Sequence, residues 1–244
     1  MSRTIAIIQA RMGSSRLPGK VLTDIGGRSM LERVVSRAAR ARLLDAVVVA
    51  TTTDGRDDAV VRECERLGVP SFRGSENDVL DRYYGAARAF EAGTVVRITS
   101  DCPLIDPDLV DRVVSELARQ RADYASNTLV LSYPRGLDAE AFPMASLATA
   151  WENATESYER VHVTPFLYRR PERFKLVNVA CVEDVSSLRW TVDTPDDLEL
   201  VRSIFDRAGH NADPSWEDVL AIVRGDPALR KINAHIRQKA LEEG

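Results

Sequence analysis

The sequence predicts an α/β domain in which helices flank a mostly parallel sheet. Short apolar runs at residues 5–8, 46–50 and 94–98 are typical of buried strands. Amphipathic segments separate these runs, and this alternation favours parallel strands joined by helical crossovers. The chain has 244 residues, of which 44% are hydrophobic, so one large core is expected. We therefore expect a single domain over residues 1–244.

The elements follow one another in a regular order. Strands are expected over residues 5–8, 46–50, 69–72, 94–98, 124–127, 136–142, 174–180 and 190–192. Helices are expected over residues 30–38, 57–67, 77–90, 144–153, 158–166 and 216–236. Pro107 and Pro195 each suit the first turn of a further helix, with Thr194 as an N-cap. Residues 1–120 are predicted to be a nucleotide-binding half and residues 121–244 an acceptor half.

The loop after the first strand carries the strongest functional signal. Residues 10–20 combine the small residues of a tight turn with three cations, Arg11, Arg16 and Lys20. Such a loop suits a polyphosphate, which small residues let approach and cations bind. The spacing does not fit a Walker A loop, where Val21 would have to be Ser or Thr, or a dinucleotide fingerprint. An ordinary strand-to-helix loop with surface arginines remains the alternative.

Two carboxylates are predicted to lie at strand ends. Asp101 follows the strand at 94–98, and Asp193 follows residues 190–192 and precedes a helix. A carboxylate in this position faces the ligand crevice of a parallel sheet and is a suitable ligand for a divalent cation. Each also has a simpler interpretation, because an aspartate before a helix commonly caps a turn or a helix. His162 is either a helical histidine or a substrate contact.

Composition excludes several classes of protein. The net charge is −4, so nucleic acid is not an expected partner and phosphate binding must be local. The cysteines, Cys64, Cys102 and Cys181, are odd in number and widely spaced, as expected for reduced thiols. No apolar run approaches the ~20 residues that a membrane helix needs, and no signal peptide is recognisable. A cytoplasmic protein without a membrane partner is expected.

Seven segments in order resemble one known family, the cytidylyltransferases that activate acylneuraminate and 3-deoxyoctulosonate. The spore-coat polysaccharide branch is the most similar one. The segments, within residues 3–207, are QARMGSSRLPGKVL, VATTTDGRDD, RGSENDVLDRYYGAAR, RITSDCPLIDP, YPRGLDAEAF, YERVHVTPFLYRRPERF and WTVDTPDDLELV. The resemblance implies a single nucleotide-diphosphosugar-transferase domain. It also implies Mg²⁺-dependent transfer of CMP from CTP to a sugar for surface polysaccharide or glycoconjugate biosynthesis, with release of pyrophosphate, and a homodimer.

The resemblance assigns roles to individual positions. Catalytic roles fall on Arg11, Arg16, Lys20 and Asp101, and metal binding falls on Asp101 and Asp193. The nucleotide side comprises Ala10, Arg11, Gly13, Ser14, Ser15, Arg16, Lys20, Thr51, Ser75 and Asp78, with Gly74 and Asn77 nearby. The acceptor side comprises Arg135, Asp138, Glu140 and His162.

Two positions depart from the family pattern, and two other functions remain open. Ser100 replaces the usual glycine before the metal-binding aspartate, and Val161 replaces a glutamate before the histidine. The second change removes an acid near the acceptor. A glycosyltransferase that uses a sugar nucleotide is one alternative, although Asp101-Cys102-Pro103 lacks the second aspartate of a D-x-D motif. The other alternative is a nucleotide-binding subunit without catalysis.

Overall fold

The apolar run at residues 5–8 lies in an interior strand of a seven-stranded sheet. The computed structural model describes residues 3–209 and 212–238. Within these residues the strands are β1 (Arg3–Gln9), β2 (Asp24–Ile25), β3 (Arg28–Ser29), β4 (Ala46–Thr52), β5 (Ser71–Gly74), β6 (Ala92–Thr99), β7 (Tyr124–Ser126), β8 (Glu140–Pro143) and β9 (Leu176–Asn178). The sheet order is β5-β4-β1-β6-β8-β7-β9, and β2 and β3 form a separate hairpin.

Helices cover the sheet. In the described ranges they are α1 (Met30–Ala38), α2 (Asp58–Leu67), α3 (Val79–Ala89), α4 (Pro107–Gln120), α5 (Met144–Asn153), α6 (Ser157–His162), α7 (Pro165–Tyr168), α8 (Pro195–Ala208), α9 (Trp216–Gly225) and α10 (Pro227–Ile232). Short 3₁₀ helices lie at Lys20–Leu22 and Gly55–Asp57. Pro107 and Pro195 begin their helices, and the side chain of Thr194 caps α8, as predicted.

The pairing of the strands confirms the predicted fold class. Strands β5, β4, β1 and β6 run parallel, and in the described sheet β8 alone runs in the opposite direction. Side chains of β1 alternate between two core clusters, with Ala6 and Ile8 on one face and Ile5 and Ile7 on the other. Both faces of the sheet are therefore buried, which explains why the strand is apolar throughout. The carboxyl ends of β4, β1 and β6 meet at one edge.

The predicted strand at residues 190–192 is wrong. This segment lies outside the sheet, where the peptide N–H groups of Trp190 and Thr191 both donate to the carbonyl of Arg135. The N–H of Val192 donates instead to the carbonyl of Asp101, at 2.8 Å. The segment changes partners after two residues, so no regular ladder forms.

Other predicted elements are shorter or interrupted. The helix predicted over residues 158–166 is divided at Val163, whose φ of 74° is left-handed and ends α6. The C-terminal helix is divided at Asp226, because Pro227 lacks the N–H that would continue it and begins α10. The strands predicted over 136–142 and 174–180 are reduced to β8 and β9. In the part of the chain that the structure describes, no helix is both long and apolar enough to cross a membrane.

Gly136 permits the close packing of two loops that lead to the site. Its φ is +107°, and a Cβ at this position would lie 2.4 Å from the backbone nitrogen of Thr191. We expect Gly136→Ala to cost about 2 kcal/mol or more from backbone strain. For a domain of this size, this corresponds to a fall in Tm of about 5 °C. Thermal unfolding followed by circular dichroism measures the effect.

Gly225→Ala is the matched control for this substitution. Gly225 ends α9, and a Cβ there would meet nothing within 4 Å. The control is expected to leave Tm unchanged or slightly raised. Equal Tm values for the two variants would contradict the tight approach of Gly136 to Thr191.

Candidate active site

The loop after β1 folds around one carbonyl group. The carbonyl of Met12 accepts hydrogen bonds from the N–H groups of Ser14 and Gly19, at 2.9 and 3.0 Å. The N–H of Met12 donates to Asp57 at 2.7 Å, which fixes the loop to the 3₁₀ turn that follows β4. Gly19 has a φ of 72°, a conformation that favours glycine, and the 3₁₀ turn beginning at Lys20 follows it. The loop thereby directs Lys20 into the interior.

Lys20 joins the two carboxylates that the sequence predicts as a pair. Its ammonium donates to Asp101 Oδ2 at 3.0 Å and to Asp193 Oδ1 at 2.8 Å. A third hydrogen bond goes to the carbonyl of Val192 at 2.9 Å. Burial alone would lower the pKa of Lys20, but Asp101 and Asp193 outweigh it and raise the pKa. The prediction that distant acids meet near this loop is therefore confirmed in its geometry.

Asp193 is contacted by three cations. Besides Lys20, Arg16 and Arg189 approach its Oδ2, at 3.0 and 2.8 Å. Burial favours the neutral acid, yet the neighbouring cations outweigh this effect and lower the pKa of Asp193 to about 2. Asp193 is therefore ionised at neutral pH.

A cavity of about 650 Å³ opens beside these carboxylates. One part of its wall belongs to the predicted phosphate side and the other to the predicted acceptor side. The lining includes the predicted residues Arg16, Asp101, Asp193, Arg135, Asp138, Glu140 and His162. Residues separated by more than one hundred positions thus face one space, as a site for two substrates requires.

The predicted acceptor side of the cavity contains two ion pairs. Arg97 pairs with Glu140, which also accepts a hydrogen bond from the Tyr124 hydroxyl at 2.8 Å. Arg135 lies 3.4 Å from Asp138. Burial raises the pKa of Asp138, and Arg135 opposes the rise only in part. These donors and acceptors can bind hydroxyl and charged groups of a polar ligand.

A second cavity, also of about 650 Å³, lies along the outer side of the loop. Gly13, Ser14 and Ser15 line it with Arg56 and Glu76. Arg11 is half exposed and lies 3.6 Å from Glu76, so it is placed near this outer cavity, whereas Lys20 contacts the central carboxylates. The predicted roles of Arg11 and of the small residues in nucleotide binding stay predictions.

The remaining predicted nucleotide residues have structural contacts of their own. The N–H of Ala10 donates to the carbonyl of Ala50, and Thr51 is buried with its hydroxyl unbonded among the described residues. Ser75 accepts a hydrogen bond from the N–H of Asp78, at 3.0 Å. The Asp78 carboxylate caps α3 and pairs with Arg160. A nucleoside contact by these residues stays a prediction.

Sequence reasoning did not identify several residues of the site. Arg97 was detectable as a lone cation in the apolar strand β6, a position that requires a buried partner. Arg189 precedes the buried Trp190, but its contacts with Asp193 and Asp197 come from the fold. Gln9 also lines the central cavity. The fold accommodates the two positions that depart from the family pattern. Ser100 is buried and donates its N–H to the carbonyl of Gln9, and Val161 lies on α6.

The fold and the site define a nucleotidyltransferase of the Rossmann-like α/β class. Parallel strand ends present a cationic loop opposite paired carboxylates, beside a cavity with room for a second substrate. The chain belongs to the cytidylyltransferase family, whose model matches residues 5–204.

Known proteins agree with this assignment. An uncharacterized protein of Methanocaldococcus jannaschii is 39% identical, covering 99% of this chain and 98% of its own length. The spore coat polysaccharide biosynthesis protein SpsF of Bacillus subtilis is 31% identical, with 93% and 96% covered. A solved cytidylyltransferase from Leptospira borgpetersenii superposes with a TM-score of 0.90 at 30% identity, covering 98% of this chain and 100% of its own. The 3-deoxy-manno-octulosonate cytidylyltransferase of Geobacter sulfurreducens is 41% identical over a shorter match, 48% of this chain and 46% of its own length.

Proposed function

We propose that this protein transfers CMP from CTP to a hydroxyl group of a sugar and releases pyrophosphate. The expected acceptor is a keto-acid sugar. One observation carries the proposal: Lys20 and Arg16 meet Asp101 and Asp193 at the wall of a cavity that Arg135 also lines. The activated sugar would serve surface polysaccharide or glycoconjugate synthesis, as the name of the Bacillus relative suggests. A homodimer stays a prediction from the family resemblance.

The reaction needs positioning and neutralisation of charge more than covalent chemistry. The acceptor oxygen forms a bond to the α-phosphorus, the bond from that phosphorus to the bridging oxygen breaks, and pyrophosphate carries away the electron pair. The acceptor hydroxyl loses its proton to solvent or to a carboxylate. Arg16 and Lys20 would bind the charge that develops on pyrophosphate. Each such donor supplies about 3 kcal/mol to the transition state, by analogy with oxyanion donors.

The donor set of Asp101 and Asp193 fits Mg²⁺. Among the described residues no group of three or more His, Cys, Asp and Glu side chains is suited to a metal. Mg²⁺ commonly takes one or two carboxylates and completes its shell with phosphates and water, so the pair is sufficient. The ion, held by Asp101 and Asp193, would polarise the α-phosphate and the acceptor hydroxyl.

Arg135 and His162 would contact the acceptor. Arg135 lies 3.4 Å from Asp138, and about a third of its side chain is exposed, so its guanidinium is accessible to a sugar carboxylate. The match with a 3-deoxy-manno-octulosonate cytidylyltransferase supports a keto-acid acceptor. The network of Arg97, Glu140 and Tyr124 would then bind neutral hydroxyls of the same sugar.

The proposed function is tested by measuring pyrophosphate release with each of four nucleoside triphosphates and with a panel of sugar acids as acceptors. We expect release only with an acceptor present, a preference for CTP, and loss of release after chelation of divalent cations. Formation of a CMP-sugar, followed by ³¹P NMR, identifies the new bond. Consumption of a sugar nucleotide instead of CTP would establish the glycosyltransferase alternative. CTP binding without release for any acceptor would favour a non-catalytic subunit.

A further inference from the structure

Arg189 connects Asp193 to the beginning of α8. Its Nη2 donates to Asp193 Oδ2 at 2.8 Å and to Asp197 Oδ2 at 3.1 Å, and its Nε donates to Asp197 Oδ1 at 2.9 Å. The side chain of Arg189 is 9% exposed and that of Asp197 is fully buried. A guanidinium that donates two parallel hydrogen bonds to a buried carboxylate is held rigidly.

Asp197 is itself fixed by the backbone around it. Its Oδ2 accepts hydrogen bonds from the N–H groups of Asp193 and Thr194, both at 3.0 Å, and Thr194 completes a capping box with it. Arg189 therefore extends from a fixed point of α8 to Asp193. The terminal torsion of an aspartate side chain is soft, so a second contact is needed to hold one orientation.

The C-terminal segment, residues 233–238, holds Arg189 from the other side. The side-chain amide of Asn233 donates to the carbonyl of Arg189 at 3.0 Å and to Asp197 at 2.9 Å. Gln238 accepts a hydrogen bond from Nη1 of Arg189 and lines the central cavity. This segment lies beyond residue 204, where the match to the family model ends.

We propose that Arg189 is a positioning residue that orients Asp193, and that the C-terminal segment supports Arg189 and completes the wall of the acceptor cavity. Oδ2 of Asp193 is held by Arg189, which is anchored on Asp197, and is also contacted by Arg16. Oδ1 then accepts from Lys20, whose ammonium also contacts Asp101. The part of the inference that concerns the affinity for the acceptor rests on the proposed function. The inference adds that Arg189 sets the geometry of the carboxylate pair, and that residues beyond the family match support Arg189 and contribute to the affinity for the acceptor.

Arg189→Lys tests the positioning role, because it keeps the positive charge and removes the two parallel hydrogen bonds. Mn²⁺ binding in the presence of CTP, followed by electron paramagnetic resonance, is expected to weaken by about 10–100-fold, the usual effect of losing a support behind a metal ligand. The kcat is expected to fall by a similar factor of about 10–100, while the KM for CTP changes little. A merely structural role would lower Tm and leave Mn²⁺ affinity in the folded protein unchanged.

Gln238→Ala tests the role of the C-terminal segment with little risk to folding, since residue 238 is exposed. The acceptor KM is expected to rise about 5-fold through loss of one hydrogen-bonded contact, with the KM for CTP unchanged. His235→Ala is the matched control, because it removes an exposed contact with Asp196 from the same segment.

The outcomes separate this inference from the proposed function. Unchanged Mn²⁺ affinity in folded Arg189→Lys, or no Mn²⁺ binding by the wild type with CTP present, would overturn the positioning role. An unchanged acceptor KM in Gln238→Ala, or an equal rise in His235→Ala, would overturn the role of the segment. If the wild type releases no pyrophosphate with any acceptor, the proposed function fails, while the Mn²⁺ affinities still decide the role of Arg189.

Discussion

Lys20→Met is expected to lower pyrophosphate release by about 100-fold or more, because it removes a cation that would stabilise the leaving group. Methionine nearly preserves the length of the side chain, so the loss is mainly electrostatic. The side chain of Lys20 is only 10% exposed, and a charge in such a site interacts more strongly than it does in water. Single-turnover rates at saturating CTP and acceptor measure the effect on the chemical step.

The same substitution is expected to strengthen the binding of divalent cations, although it lowers the rate of pyrophosphate release. The ammonium of Lys20 lies within 3.0 Å of both carboxylates and would compete with a divalent cation for them. Removing it leaves two partly buried acids without this partner, so nucleotide-free Lys20→Met is expected to bind Mn²⁺ more tightly than the wild type. The variant is also expected to lose about 3 kcal/mol of stability, so binding is measured well below its Tm.

Lys231→Met is the matched control, because residue 231 is exposed at the end of α10 and carries the same charge. Turnover and Mn²⁺ affinity are expected to be unchanged in it. Lys20→Met with near wild-type turnover would contradict the triphosphate role. Weaker Mn²⁺ binding would instead show that Lys20 organises the carboxylates and does not compete with the metal.

The position of Asp101 was predictable because a parallel sheet imposes it. Strands β1 and β6 are neighbours with Gln9 opposite Thr99, so residues just beyond these ends must lie at one edge. Lys20 and Asp101 each follow one of these strands. Local patterns of apolar residues were therefore enough to bring a cation and a carboxylate together from 81 positions apart.

Asp193 lies beside Asp101 through their shared contact with Lys20, and its metal role stays a prediction, but the strand predicted to precede it is absent. No strand places Asp193 at the site. A hydrogen bond from the N–H of Val192 to the carbonyl of Asp101 holds the segment beside Asp101. Such a contact joins two irregular segments, and irregular segments carry no periodicity from which pairing is predicted. The resemblance to a known family supplied what the local pattern lacked.

The contacts of the C-terminal segment could not be predicted from the sequence at all. Gln238 is one polar residue among many in a charged tail, and only the packing of α10 against α8 brings it to Arg189. The positive φ of Val163 likewise has no local signal, since β-branched residues disfavour it. The helix breaks themselves were visible, because Pro165 begins α7 and Pro227 begins α10.

Asp101→Asn is expected to abolish metal-dependent turnover while the protein stays folded. Asparagine keeps the shape of the side chain and removes one of the two charges that the proposed metal ion needs, so release is expected to fall by about 100-fold or more. The fold tolerates the change because the backbone carbonyl of Asp101, not its carboxylate, receives the N–H of Val192 at 2.8 Å. Pyrophosphate release against Mg²⁺ concentration measures the effect, and Asp108→Asn, at a carboxylate that is 78% exposed, is the control.

The double variant Lys20→Met/Asp101→Asn decides whether the two residues act as one unit. Their side chains are 3.0 Å apart and share Asp193 as a neighbour, so their effects on turnover are expected to be strongly non-additive. The double variant should then be little slower than the slower single variant. Losses that multiply fully would mean that Lys20 and Asp101 act on separate steps, and the single ionic centre proposed for CMP transfer would not hold.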